Sequence, residues 1–89
     1  MSGVKRYQVN SVVSCGEEKD GAVLFNPDTN DTAVINISGR LLWHFLETPH
    51  SIKEMSLYLT EKFDDVSLEQ ATEDVTQFVQ NLLSDFLSS

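Results

Sequence analysis

The chain offers few side chains whose type could carry chemistry: one cysteine, two histidines and three neighbouring acid pairs. Cys15 has no second thiol for a disulfide or a metal pair and no base close to it in sequence, so it reads as a small reduced hydrophobe. His44 falls in a helical stretch and His50 in a loop, and neither belongs to a His-x-x-x-His or Cys-x-x-Cys pattern, so no metal site is expected. Glu17-Glu18, Asp64-Asp65 and Glu73-Asp74 place their carboxyls on successive residues, which point in different directions. They read as solvated or helix-end charges rather than acid–base couples. No catalytic residue and no cofactor is expected.

Charge narrows the partners. Fourteen acidic residues against six basic ones give a net charge of −8, which repels phosphate backbones and favours basic partners. With 89 residues the chain suffices for one domain, 1–89 with an ordered core of about 7–87, that buries only about 60 to 65% of its unfolded surface. A hydrophobic content of 40% supports a packed core. No apolar run approaches the roughly 20 residues that cross a bilayer. The N-terminal Met1-Ser2-Gly3-Val4-Lys5-Arg6 is basic without the apolar block of a signal peptide, so a cytoplasmic protein with no membrane partner is expected.

The elements that position these residues turn on the run from Asp31 to Leu46, where the apolar period changes. Ala33, Ile35 and Ile37 alternate with Thr32, Val34 and Asn36 as in a half-buried strand. Leu41, Leu42, Phe45 and Leu46 then recur at helical spacing, with Asn36 or Ser38 available as N-cap and the switch placed near Ser38-Gly39. Before this junction, Tyr7 to Cys15 holds one or two short strand segments, Asp20-Gly21 is a hairpin turn, and Ala22-Val23-Leu24-Phe25 is a strand compact enough to be buried on both faces. Asn26 to Asp31 is a second turn. The result is a three-stranded antiparallel meander whose last strand, if at the edge, leaves a row of backbone groups unpaired.

After the first helix, Thr48-Pro49-His50 breaks the pattern. Ser51-Ile52-Lys53-Glu54 and Ser67-Leu68-Glu69-Gln70 are capping boxes for two further helices, the second box closed by a Val66–Ala71 staple. Ile52, Met55, Leu59 and Phe63 line the second helix, which ends at Asp64-Asp65. The third carries Leu68, Ala71, Val75, Phe78, Val79, Leu82, Leu83 and Phe86, with Leu87 near its end. That is the widest apolar stripe in the chain. Trp43 lies beside the main stripe of its helix, where a core place competes with an exposed anchor, and Arg40 reads as surface. The predicted class is α+β: a winged helix-turn-helix-like fold with a three-stranded antiparallel sheet followed by a three-helix bundle.

Asp20-Gly21-Ala22-Val23-Leu24-Phe25-Asn26, Val34-Ile35-Asn36-Ile37-Ser38-Gly39 leading to Leu42-Trp43, Ser51-Ile52-Lys53-Glu54, and Asp74 to Leu82 together resemble the PqqD family. That family comprises coenzyme PQQ synthesis protein D and the recognition elements of ribosomally synthesised, post-translationally modified peptide (RiPP) biosynthesis. The resemblance spans about Val12 to Leu87. It implies a non-catalytic module that captures the leader of a precursor peptide as an added strand beside the third strand, in a cleft closed by the third helix. The peptide is then presented to a modifying enzyme, such as a radical SAM enzyme or, for lasso peptides, a leader peptidase. Carried over by position, the peptide would pair with backbone groups of Thr32, Ala33, Val34 and Ile35 and rest on Asp74, Val75, Phe78, Val79 and Leu82. The chain departs from the family in Ser84-Asp85-Phe86-Leu87, which lacks the glycine common before the final leucines, and this bears on the last helical turn.

A winged helix also suggests DNA binding, yet Ser67 to Ser89 contains no Lys or Arg while Glu69, Glu73, Asp74 and Asp85 are acidic. Phosphate contacts need cations, so nucleic acid is not an expected partner. Glu69, Glu73 and Asp74 serve either to attract a basic peptide or merely to solubilise. Homodimerisation through the same strand edge stays open. The competing reading from another class is a structural accessory subunit of a maturation enzyme that binds no peptide itself.

Overall fold

The computed structural model describes residues 4–89; Met1 to Gly3, the start of the stretch read above as lacking a signal peptide, lie outside the described residues. The elements run β1 (Gln8–Val9), β2 (Ser14–Glu18), β3 (Gly21–Asn26), β4 (Asp31–Asn36), α1 (Ile37–Phe45), α2 (Ile52–Lys62), α3 (Leu68–Leu82) and β5 (Leu87–Ser88). β2, β3 and β4 form the expected three-stranded antiparallel sheet in the order β2-β3-β4, and three helices follow. Among the described residues no helix is long and apolar enough to cross a membrane.

Register follows from the turns. Lys19 and Asp20 alone connect β2 to β3, with Glu18 opposite Gly21. Gly21 is obligatory there, because a β-carbon on it would stand 1.9 Å from the Ile35 carbonyl oxygen. At the other end Asn26 is buried. Its Oδ1 accepts the Asp28 N–H at 2.8 Å, and its Nδ2 donates to the Asp85 carbonyl, which ties the β3–β4 turn to the end of the chain. Only one face of the sheet is covered: Ala22, Leu24 and Ile35 are buried, while Phe25 is 38% and Val34 81% exposed. β3 is therefore not buried on both faces as its apolar run suggested, since all three helices lie on one side.

The switch from strand to helix comes two residues earlier than the apolar period indicates. Asn36 ends β4 and caps α1, its Oδ1 accepting the Gly39 N–H at 2.8 Å. The Ser51–Glu54 capping box is complete, whereas Ser67 makes one half of the second, accepting the Gln70 N–H at 3.1 Å. Leu24, Leu42, Leu46, Met55 and Val75 meet at the centre of the core, and Trp43, 4% exposed, is a core residue.

Two expectations need correction. α3 stops at Leu82, not near Leu87: Leu83 is extended and Ser84 takes φ of 85°, turning the chain back. Phe86 and Leu87 stay buried, but as part of a return segment in which Leu87 and Ser88 pair with Val9 and Gln8. The early strand signal around Tyr7 to Val9 thus belongs to a second, two-stranded sheet. Tyr7 in turn exchanges backbone bonds of 2.8 and 3.0 Å with His50, which holds the N-terminal segment along the α1–α2 connection.

Candidate functional site

β4 is an edge strand, and the hairpin fixes which of its backbone groups are free. A two-residue turn closes on a hydrogen-bonded pair, here Glu18 with Gly21, and the sides alternate from there. Gly21, Val23 and Phe25 therefore bond to β2, while Ala22, Leu24 and Asn26 bond to their β4 partners Ile35, Ala33 and Asp31. The N–H and C=O groups of Thr32 and Val34 are left pointing away from the sheet. Of the four residues expected to offer backbone groups, two do so; those of Ala33 and Ile35 are consumed by β3. Among the described residues no strand lies against this edge.

Beside the edge runs a groove of about 300 Å³. β4 gives it Val34, Ile35 and Asn36; the first turns of α1 give Ser38, Gly39 and Leu42; α2 gives Leu59; and α3 gives Asp74, Gln77, Phe78 and Asn81. The structure thus brings together Val34, Ile35, Asp74 and Phe78 from the residues marked in the sequence. It places Val75, Val79 and Leu82, at 0, 3 and 4% exposure, in the core beneath the groove rather than on its wall. Thr32 and Ala33 continue the strand edge beyond it.

The reason is a pair of neighbouring stripes on α3. Ala71, Val75, Val79 and Leu82 form the stripe that packs on the rest of the molecule. Asp74, Gln77, Phe78 and Asn81 form an adjoining stripe at the same helical spacing, and this one faces β4. Gln77 and Asn81 escaped sequence reasoning because it looked for apolar residues; their spacing from Asp74 was the available signal. The groove is accordingly polar along its α3 rim, with Phe78, Leu42 and Leu59 as apolar contacts. Asp74 is oriented by Gln70, whose Nε2 donates to its Oδ1 at 2.9 Å. No Lys or Arg lines the groove.

A strand added along β4 would share its pleat, so alternate side chains would enter the groove against Phe78 while the others lie on the Val34 side. Each backbone bond contributes about 1 kcal/mol net and association costs at least about 4 kcal/mol, so four bonds to Thr32 and Val34 would roughly offset that cost. Contact with the groove must supply affinity and selectivity.

The other marked side chains serve the scaffold. Arg40 donates from Nη1 to the carbonyls of Glu18 at 2.6 Å and Gly21 at 3.3 Å, clamping the β2–β3 turn onto α1. His44 lies 2.9 Å from a Glu17 oxygen, and His50 stacks on Phe45 with ring centroids 3.9 Å apart. Burial, with Glu17 as a second cause, pushes the Cys15 thiol above its ordinary value, which suppresses the reactive thiolate. Asp85 is raised by a hydrogen bond with the Asp31 carboxyl and by its charge.

A model of the family described as coenzyme PQQ synthesis protein D (PqqD) matches residues 21–87. Among solved structures, one described as lasso peptide synthetase B1 complexed with the leader peptide superposes with a TM-score of 0.75 at 19% identity, covering 93% of this chain and 98% of that one. A second, TbiB1 in complex with the TbiA(beta) leader peptide, has a TM-score of 0.71 at 19% identity over 84% and 86% of the two chains. Comparison with curated proteins returns no match.

Proposed function

The chain belongs to the coenzyme PQQ synthesis protein D (PqqD) family, and from that premise we propose that it is a non-catalytic RiPP recognition element. It binds the leader of a ribosomally made precursor peptide by strand addition to β4 and presents the remainder to a separate modifying enzyme. The observation that carries this reading is the unpaired outer edge of β4, with Thr32 and Val34 directed outward, lying beside a groove walled by α3. Both similar solved structures are leader-peptide complexes, which supports the same reading. The peptide contacts assigned to this chain are the backbone of Thr32 and Val34, and the side chains of Ile35, Asp74, Gln77, Phe78 and Asn81.

Titrating isotope-labelled protein with the precursor leader tests it. The amide signals of residues 32–36 and 74–81 should shift in a saturable way while those of β1 and β5 stay fixed. If they do not move and the modifying enzyme still binds, the chain is an accessory subunit that captures no peptide.

A further inference from the structure

A second groove, of about 610 Å³, lies between the N-terminal segment Val4 to Tyr7 and the start of α2, and its chemistry is opposite to that of the first. Lys5, Arg6 and Lys53 line it, three of the six Lys and Arg residues of a chain with net charge −8. Its lone acid, Glu54, is already engaged by the Ser51 N–H at 3.0 Å and by His50 Nδ1 at 3.1 Å. The same groove is also lined by exposed apolar side chains: Val4 is 71% and Leu57 43% exposed. The two grooves share no lining residue. α2 separates them, because Leu57 and Leu59 are two positions apart and so project to opposite sides of the helix.

We propose that this basic groove docks an acidic segment of the enzyme that modifies the precursor, with an apolar side chain of that segment seated between Val4 and Leu57. The proposal rests on the reading above that such an enzyme receives the peptide. Charge sorts the two ligands: the leader groove carries Asp74 and no cation, whereas this one concentrates half the basic residues of an otherwise acidic molecule. An anionic segment is steered to one and repelled by the other. Because the sites lie on opposite sides of α2, the enzyme docks without covering the bound leader.

The test measures two affinities separately, for the synthetic leader and for the enzyme that modifies the same precursor, using wild-type protein and the double variant Lys5→Glu/Lys53→Glu. Both residues are exposed, and a glutamate at position 53 suits the first turn of α2, so folding is retained. Enzyme affinity should fall at least about tenfold and lose its salt dependence while leader affinity is unchanged. Leu57→Ser should weaken the enzyme complex at both low and high salt. Unchanged enzyme affinity in the double variant overturns the proposal. So does wild-type association with phosphatidylserine vesicles, or a concentration-dependent dimer, that the double variant abolishes while enzyme binding persists. Failure of wild-type protein to bind the leader instead counts against the functional reading and leaves this measurement interpretable.

Discussion

Gly39 lies against Phe78: a β-carbon at Gly39 would stand 3.4 Å from Cε1 of that ring and 2.9 Å from the Ile35 β-carbon. The first turn of α1 is thereby pressed onto β4 and onto the aromatic wall of the groove, which fixes the groove's width. Gly39→Ala gains up to about 1 kcal/mol in helix propensity but must displace Ile35 or Phe78, and overpacking costs about 1 to 3 kcal/mol. The expected outcome is a net loss of about 1 kcal/mol in urea denaturation with weaker leader binding. A variant that is stabilised and binds normally would show that the contact is slack.

Proline distinguishes the two sides of β4. At Val34 the N–H points away from β3, so Val34→Pro should leave the fold in place and weaken leader capture about tenfold or more. At Ile35 the N–H belongs to the β3 ladder, and Ile35→Pro should unfold much of the chain. Calorimetric titration and a thermal melt of each variant give the contrast; equal melting temperatures would contradict the register.

Two carboxyls give opposite pH signatures. The Ser51 N–H and then His50 hold Glu54 below its ordinary value, so its contribution is present above the unfolded pKa of 4.5 and is lost as pH falls through the folded value. Asp85 is raised from 3.8, chiefly by Asp31, so the native state favours its proton and the unfavourable contribution appears as pH rises through the folded value. Asp85→Asn should therefore raise the melting temperature at pH 7 and not at pH 3, whereas Glu54→Gln should lower it at pH 7 and lose most of that effect at pH 3.

Arg40 binds two turn carbonyls that no other described side chain reaches. Arg40→Met should cost about 1 kcal/mol and speed hydrogen exchange at Lys19 to Gly21, with exchange in α3 unchanged. Exchange that rises uniformly would mean the clamp supports the whole fold.

Elements with a strong local signal were legible in the sequence. The Ser51–Glu54 box and the apolar period of α2 each follow from short-range chemistry and stand where the residues put them, while of the two N-caps open for α1, Asn36 and Ser38, it is Asn36 that serves. The end of α3 was not, because Leu82, Leu83, Phe86 and Leu87 keep nearly helical spacing even though the backbone reverses at Ser84. Burial recruits Phe86 and Leu87 in either conformation, so their hydrophobicity could not reveal it. The pairing of Gln8 with Ser88 joins residues 80 positions apart, beyond any local pattern. In the site, alternation marked the two faces of β4 but not which of its backbone groups point outward, because Ala33 and Ile35 were expected to offer theirs alongside Thr32 and Val34, and the polar wall of Gln77 and Asn81 was masked by the apolar stripe beside it.

The β1–β5 pair has a topological consequence. It brings Gln8 beside Ser88, and neither strand contributes to the slot along β4. Polypeptide joined after Ser88 departs beside β1, whereas polypeptide joined before Val4 departs from the start of α2, so both attachment points lie clear of the slot and the unit is suited to splicing as a cassette into a larger catalyst. In such a chimera the tether, rather than a docking equilibrium, would set how often the captured peptide meets the catalytic centre.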